Sequence, residues 1–243
     1  MWLTVVSANR SNHVTQMRNM IGPATWYVPK HNRRDYENAG ADNIGLGSDT
    51  NVTAARNQAI QDAFNWRLPC VQLDDDLKWI KQVAFGVGEE KNTALHTSVE
   101  YAIGQIVRAL QETGFKLGGT APTNNPYFSR NALQTRAFVR SPFWVVMENE
   151  LRLDRRLLVK FDYDYTLQHI QKFGGVARLD EFVTQFDYGT QPGGHVDSRT
   201  METQMAAIRY LESKWGTEII KRNPRRQGEI LLRVPRPQRV VLT

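Results

Sequence analysis

A strand-like stretch that ends in three consecutive aspartates constrains the fold of this chain more than any other feature. Leu68 to Leu73 is largely apolar, which predicts a buried strand, and Asp74, Asp75 and Asp76 follow it directly. Three adjacent anions repel each other, and a protein core does not tolerate them without a counter-charge. At the carboxyl end of a strand in an α/β sheet, such a cluster faces the crevice where ligands bind. The pattern favours an α/β fold with an acidic site at one sheet edge.

Carboxylate oxygens are the ligands that hard divalent cations prefer. Mg²⁺ or Mn²⁺ commonly binds through one or two carboxylates together with substrate phosphates. We therefore interpret the aspartate cluster as a candidate site for one of these ions. The alternative is a solvated acidic turn, but the strand in front of the cluster, and the helix before that, favour the metal site.

The composition bounds the class of protein and its partners. A length of 243 residues fits one large α/β domain or two small ones. No apolar run is as long as a membrane span, the N-terminus has no signal-peptide pattern, and Cys70 is the only cysteine, so we expect a cytoplasmic protein without a membrane partner. The net charge of +6 favours a polyanionic partner.

Two segments before the cluster carry candidate nucleotide contacts. Trp2 to Val6 predicts a first strand, and Ser7, Asn9 and Arg10 lie in the polar loop after it, where parallel sheets bind nucleotides. Arg10 could pair with a phosphate or stack on a base; the alternative is a surface loop that caps the next helix through Ser11 or Asn12.

Asn51 to Phe64 predicts a helix, with Thr50 or Thr53 as its cap. Arg56 and Asn57 fall in or near its first turns, close to the crevice if the helix packs on the sheet. The alternative is that both side chains point into solvent. Further on, Phe115 to Pro122 predicts a strand entering a glycine-rich loop, where Gly118 and Gly119 permit close approach by a ligand or form a plain turn.

A second acidic pair follows Leu157 to Lys160. If residues 161 to 165 are extended, Asp162 and Asp164 share one face and can act as base or nucleophile. In the alternative, Asp164 or Thr166 caps a helix from Leu167 to Lys172. Because Asp164 is the better cap, Asp162 is the better candidate base.

The rest of the chain predicts further α/β elements. We expect helices over residues 97 to 113 and 201 to 215, the second capped by Ser198, and strands over residues 24 to 29, 137 to 139, 143 to 146 and 176 to 186. His195 lies in a glycine-containing loop. The tail is rich in arginine, which indicates either a solvated edge strand or a surface for phosphate contacts.

Together these segments resemble a known family. The first strand and polar loop, then Ala55 to Ile60, then the strand ending in Asp74 to Asp76 resemble the GT-A glycosyltransferase fold. More narrowly, the chain up to about residue 215 looks like the TET-associated glycosyltransferases of bacteriophages. Four segments carry that narrower likeness: Trp26-Tyr27-Val28-Pro29, residues 36 to 41, residues 68 to 76 and residues 161 to 168.

The resemblance implies a GT-A-like single Rossmann-like domain over residues 1–215, with a mostly parallel central sheet flanked by helices. Residues 216–243 would be a basic extension packed on, or continuing, that domain. The resemblance also implies transfer of a sugar from a UDP-sugar to the hydroxyl of 5-hydroxymethylcytosine in DNA, with Mn²⁺ or Mg²⁺ as cofactor. It further implies a companion oxygenase that makes the hydroxyl, and the host-cell cytoplasm as the location.

By the same resemblance, Asp74 and Asp76 hold the metal on the diphosphate, with Asp75 as an alternative contact. His195 completes the metal site, and Asp162 or Asp164 lies near the acceptor. Two other classes of function remain open from the residues themselves: a metal-dependent nucleotidyl- or phosphotransferase, and a non-catalytic nucleic-acid-binding module.

Overall fold

The computed structural model describes residues 1–47, 51–86, 91–187 and 199–234 as an α/β structure with three sheets. The strands are β1 (Trp2–Val6), β2 (Thr25–Val28), β3 (Asn43–Leu46), β4 (Cys70–Asp74), β5 (Leu77–Ala84), β6 (Thr93–His96), β7 (Leu117–Thr120), β8 (Leu133–Gln134), β9 (Phe143–Val146), β10 (Ala177–Leu179), β11 (Phe182–Phe186), β12 (Ile220–Arg222) and β13 (Ile230–Leu232). The helices are α1 (Val14–Ile21), α2 (Arg33–Asn38), α3 (Val52–Asn65), α4 (Val99–Thr113), α5 (Phe161–Phe173) and α6 (Met201–Trp215).

The central sheet has eight strands in the order β3-β2-β1-β4-β9-β7-β10-β8. β3, β2, β1 and β4 are parallel, β9 runs antiparallel to both β4 and β7, and β10 is parallel to β7. The carboxyl ends of β1, β4 and β7 therefore lie at one edge of the sheet. The prediction of a mostly parallel central sheet flanked by helices is confirmed.

Successive side chains along the strands of the central sheet point to opposite faces and pack into two apolar layers, one on each face. Trp26 packs with α1 and α4 on one face, and its neighbour Tyr27 packs with α3, α5 and α6 on the other. Ile220 and Ile230, from the two-stranded sheet β12–β13, are buried in the second layer. The smaller sheet β11-β5-β6 extends from the main one through β5, which follows the aspartate turn.

Several local predictions are wrong. Residues 161 to 165 form the first turns of α5 and are not extended, since the helix begins at Phe161 after a left-handed Lys160 with φ of +59°. Residues 137 to 139 form no strand. The cap of α3 is Asn51, whose side chain accepts a hydrogen bond from the backbone N–H of Ala54 at 3.1 Å.

Two more of the cap predictions are wrong. α1 has no side-chain cap, so neither Ser11 nor Asn12 fills that role. α6 is capped by Thr200, and Ser198 lies outside the described residues.

In the part of the chain that the structure describes, no helix has both the length and the apolar character needed to cross a membrane.

Candidate functional site

The acidic cluster lies where the carboxyl ends of β1 and β4 meet. Val6 is paired with Asp74 in the parallel register, so the residues that follow each strand face one another. The Ser7 hydroxyl donates a hydrogen bond to Oδ2 of Asp75 and lies 2.5 Å from the hydroxyl of Tyr36. Ser7, Tyr36 and Asp75 are all buried. Ser7, a predicted nucleotide contact, is thus engaged within the protein.

Arg10 supplies the counter-charge that a buried acidic cluster requires. Its Nη1 lies 3.1 Å from Oδ1 of Asp75 and 3.6 Å from Oδ2 of Asp76, and its backbone N–H donates to the Tyr36 hydroxyl at 3.1 Å. The Nδ1 atom of His13 lies 2.9 Å from the carbonyl oxygen of Asp75. The loop after β1 therefore wraps around Asp75 and partly neutralises it.

Asp76 is the least satisfied member of the cluster. Its side chain is buried, and among the described residues its Oδ1 atom has no hydrogen-bond partner. Burial, and then repulsion from Asp74 and Asp75, raises the pKa of Asp76 to about 7. Burial likewise raises the pKa of Asp75, although Ser7 and Arg10 oppose that shift. An ionised Asp76 thus carries a charge that the surrounding protein stabilises poorly.

Arg56 supplies a second counter-charge from α3. Its Nη2 donates to Oδ1 of Asp74, and its Nη1 lies 3.1 Å from Oε1 of Gln72 and 3.3 Å from the carbonyl oxygen of Ser141. The guanidinium is buried, with its carbon 5.4 Å from the centroid of Trp144. Arg56 was predicted to contact the nucleotide, and the structure instead places it beneath the cluster, between α3 and β9.

Ser141 connects Asp162 to this edge of the sheet. Its backbone N–H lies 3.4 Å from Oδ2 of Asp162, while its carbonyl oxygen accepts from the Arg56 that pairs with Asp74. Burial raises the pKa of Asp162, a direction that improves a carboxylate as a general base. Asp162 lies on a helix and is connected to the aspartate cluster through Ser141 and Arg56. Its predicted place near the acceptor stays a prediction.

Asp164 points to the other side of α5. Its side chain is fully buried. Its Oδ1 lies 2.8 Å from Nζ of Lys214 and accepts a hydrogen bond from the indole N–H of Trp215 at 2.8 Å. Its Oδ2 accepts a hydrogen bond from the side-chain amide of Gln168 at 2.7 Å. These contacts join α5 to α6. Asp162 and Asp164 therefore do not share one face, and Asp164 is not a helix cap.

Two aspartates of the cluster offer oxygen ligands of the kind that suits a divalent cation. Asp74 keeps 22% of its side-chain surface exposed, and Oδ1 of Asp76 has no hydrogen-bond partner among the described residues. Two carboxylates plus substrate phosphates suffice for Mg²⁺. Within the described ranges, however, no three His, Cys, Asp or Glu side chains are grouped to hold a metal ion. His195, the predicted third ligand, lies outside these ranges. Asp187 is the last described residue before His195, and its backbone N–H donates to the carbonyl oxygen of Asp76 at 3.1 Å.

Two other predicted contacts are engaged elsewhere. Asn9 is exposed, and its Oδ1 accepts from the side chain of Asn32 at 2.8 Å. Asn57 exchanges two hydrogen bonds with the backbone of Leu153, at 2.9 and 2.8 Å. Asn57 also lines an open groove together with Arg152, and none of the three aspartates lines that groove. Asn9 and Asn57 therefore stabilise loops beside the candidate site.

Gly118 and Gly119 lie inside β7 and not in a loop, so the glycine-rich loop prediction is wrong. A Cβ atom on Gly118 would lie 2.6 Å from Ile106 of α4, and one on Gly119 would lie 2.6 Å from Val139. Both residues are buried. The close approach that these glycines permit is therefore to protein atoms on the two faces of the sheet.

Basic residues of the tail have partners of their own. Arg222 makes two hydrogen bonds of 2.7 Å with Glu212, and Arg226 lies 3.4 Å from Glu229. Arg236 and Arg239 lie outside the described residues. The tail surface that the structure describes is thus partly neutralised.

The sequence does not predict a place in the site for three residues: His13, Tyr36 and Ser141. Tyr36 had a local signal, because a tyrosine between polar residues on a short helix often packs its ring inward and uses its hydroxyl as a donor. His13 and Ser141 act through contacts with residues 62 and 21 positions away, which no local pattern reveals.

Comparisons with known proteins add no family to this geometry. Neither the family models nor the curated proteins searched contain a match to this chain.

Proposed function

We propose that this chain is a metal-dependent glycosyltransferase that transfers a sugar from a UDP-sugar to the hydroxyl of 5-hydroxymethylcytosine in DNA. The observation that carries the proposal is the position of the aspartate cluster at the carboxyl ends of parallel strands, with Asp162 connected to it through Ser141 and Arg56. Ligands of open α/β sheets bind at such an edge. The identity of donor and acceptor rests on the family resemblance of the sequence.

The unpartnered oxygen of Asp76 supports a metal. A buried carboxylate oxygen without a hydrogen bond is costly, and a divalent cation would remove that cost. Asp74 and Asp76 would hold the cation, which would stabilise the negative charge of the diphosphate leaving group. Arg10 and Arg56 fix the aspartates in place and limit their mutual repulsion.

Asp162 would act on the acceptor side. In an inverting transfer, the bond between the anomeric carbon and the diphosphate oxygen breaks, and that oxygen keeps the electron pair. The hydroxymethyl oxygen forms the new bond to the anomeric carbon, and its proton passes to the carboxylate of Asp162. The raised pKa of Asp162 brings its basicity closer to neutral pH. A retaining route would need no such base.

Two other functions remain alternatives. A nucleotidyl- or phosphotransferase would use the same carboxylates with the same metal. A non-catalytic nucleic-acid-binding module would rely on the arginines of the tail.

One incubation separates the three functions: hydroxymethylated DNA with a panel of UDP-sugars and Mn²⁺, followed by mass spectrometry of the nucleosides. A hexosyl or related mass increase on hydroxymethylcytosine supports the proposal. Incorporation of a nucleoside monophosphate supports the nucleotidyltransferase, and DNA binding without any product supports the binding module.

A further inference from the structure

Two adjacent aromatic rings are exposed on a short turn after β7. Tyr127 and Phe128 are 68% and 66% exposed, and their ring centroids lie 5.2 Å apart in an edge-to-face arrangement. Single exposed apolar side chains are normal, whereas two neighbouring rings that leave their faces in water indicate a contact surface. We refer to residues 126–128 as the aromatic turn.

The aromatic turn is held in one conformation by hydrogen bonds. Asn125 caps it by accepting from the backbone N–H of Tyr127 at 3.0 Å, and Pro126 occupies its first position. The side chain of Asn92, just before β6, donates to the carbonyl oxygen of Pro126 at 3.0 Å. A ligand that stacks on these rings would therefore lose little affinity to ordering of the turn.

The aromatic turn follows β7, whose carboxyl end lies at the same sheet edge as the aspartates. Gly119 of β7 and Gln72 of β4 both pair with Trp144 of β9, so the carboxyl ends of β7 and β4 lie about 10 Å apart, two inter-strand spacings. The turn follows β7 by a few residues. Arg140 ties this segment to the site, because its Nη1 lies 3.4 Å from the carbonyl oxygen of Pro122 and the next residue is Ser141.

The charge of this region selects a polyanionic partner. From Thr113 to Met147 the sequence contains no Asp or Glu, while it contains Lys116, Arg130, Arg136 and Arg140. Arg130 is exposed two residues after Phe128. Exposed rings followed closely in the sequence by an exposed arginine match a strand that carries both flat bases and phosphates. An acidic protein partner would satisfy the cations, but it would supply no flat ring faces.

We infer that Tyr127 and Phe128 form a stacking platform for unpaired bases of a nucleic-acid strand. The phosphates of the same strand run past Arg130, which is exposed close to the rings in the sequence. This inference rests on the proposed function only for the link to sugar transfer. It specifies that the acceptor strand is locally unpaired where it meets the protein, since base faces inside a duplex are not accessible.

Binding by the wild-type chain is the first test, and it needs no donor and no variant. Fluorescence anisotropy compares a labelled single-stranded oligonucleotide with an oligonucleotide of equal length made of abasic sites, and with the corresponding duplex. We expect the base-containing single strand to bind tighter than both. Equal affinity for the abasic strand, or tighter binding of the duplex, would overturn the inference.

The second test removes the rings. Tyr127→Ala with Phe128→Ala should weaken single-strand binding by about fivefold or more per ring and leave the salt dependence unchanged, because no cation is lost. Trp66→Ala is the matched control: Trp66 is 69% exposed and ends α3 at the opposite edge of the sheet. The exchange Tyr127→Phe with Phe128→Tyr keeps both rings and should keep affinity.

Circular dichroism confirms that the variants are folded. If the double alanine variant binds the single strand as well as Trp66→Ala does, the platform assignment is wrong. The oligonucleotides carry no hydroxymethyl group and no sugar donor is present, so the binding test does not depend on sugar transfer. A failure of sugar transfer would not contradict the stacking platform, and a failure of strand binding would not contradict sugar transfer.

Discussion

The Nη1 atom of Arg10 lies 3.6 Å from Oδ2 of Asp76, on the side of the carboxylate away from its unpartnered Oδ1. One oxygen of Asp76 thus has a nearby cation, and the other has no hydrogen-bond partner among the described residues. In the proposed function Asp76 holds a metal ion, and without that ion its buried charge is a cost to stability.

Asp76→Asn should therefore separate metal binding from stability. We expect an unchanged or higher melting temperature for the metal-free variant, because a buried carboxylate repelled by two others is removed. The rise in melting temperature that Mn²⁺ gives the wild-type protein should disappear. Asp35→Asn, at an exposed position on α2, should keep that rise. Melting curves with EDTA and with Mn²⁺ measure both effects, and a wild-type Mn²⁺ response in Asp76→Asn would contradict the role.

Asp162→Asn and Asp164→Asn should affect different properties. Loss of the base in Asp162→Asn should lower turnover by about 10²-fold or more, with donor affinity and melting temperature nearly unchanged. Asp164→Asn breaks the pair with Lys214 and should cost on the order of 2 kcal/mol of unfolding free energy. Kinetics and denaturant titrations on both variants check this. The opposite pattern would reverse the assignment, and full turnover in Asp162→Asn would point to a retaining route or to a base elsewhere.

Gly118→Ala should destabilise the protein through packing and not through ligand binding. Its new Cβ would press on Ile106 and on the carbonyl oxygen of Ala177, at 2.6 and 3.0 Å, which should cost about 1–3 kcal/mol. Gly104→Ala is the control, because nothing lies within 4 Å of its Cβ at an exposed position of α4, and we expect a gain of about 0.5–1 kcal/mol. Urea titrations measure both. A stable Gly118→Ala protein with weakened UDP-sugar binding would restore the ligand-contact prediction.

His169 should make the protein sensitive to mild acid. It is buried on α5, with Nδ1 2.8 Å from the carbonyl oxygen of Tyr165, and burial lowers its pKa from 6.5 to about 4. The unfolded chain therefore binds a proton that the folded chain does not. The stability due to the neutral ring is complete above pH 6.5 and is lost progressively toward pH 4, by about 3 kcal/mol.

His169→Gln should flatten that loss between pH 6.5 and pH 4, whereas His96→Gln, at an exposed position, should not. The raised pKa values of Asp76 and Asp162 act with the opposite sign in this range, but they are common to both variants and cancel in the comparison. Unfolding free energies measured across this range check the prediction; parallel curves for the two variants would contradict it.

Periodicity predicted the layers of the fold, and it failed where tertiary contacts decide the local structure. The helix over residues 201 to 215 and the strand ending in Asp74 follow from local patterns. The alternation of Asp162 and Asp164 with aromatic residues suggested a strand, but Tyr165 and Ile170 pack against the sheet as parts of one helix. The glycines of β7 suggested a loop, because the closeness of Ile106 and Val139 is not visible in the sequence.

The candidate site was predictable in its centre and not in its surroundings. Three consecutive aspartates after a strand indicated the site, and the mutual repulsion of their carboxylates implied that counter-charges lie nearby. That Arg10 and Arg56 would meet this need, and so be less accessible to a nucleotide, depends on contacts across 65 and 18 residues. The link from Asp162 to the cluster through Ser141 depends in the same way on the path of the chain between β8 and β9.

Mass spectrometry of nucleosides tests the central claim most directly, with hydroxymethylated DNA incubated with UDP-sugars and Mn²⁺. We expect that hydroxymethylcytosine gains the mass of one sugar residue with wild-type protein, that EDTA abolishes the gain, and that unmodified cytosine gains nothing. DNA that remains unmodified with every UDP-sugar tested, using folded protein that binds both Mn²⁺ and DNA, would contradict it.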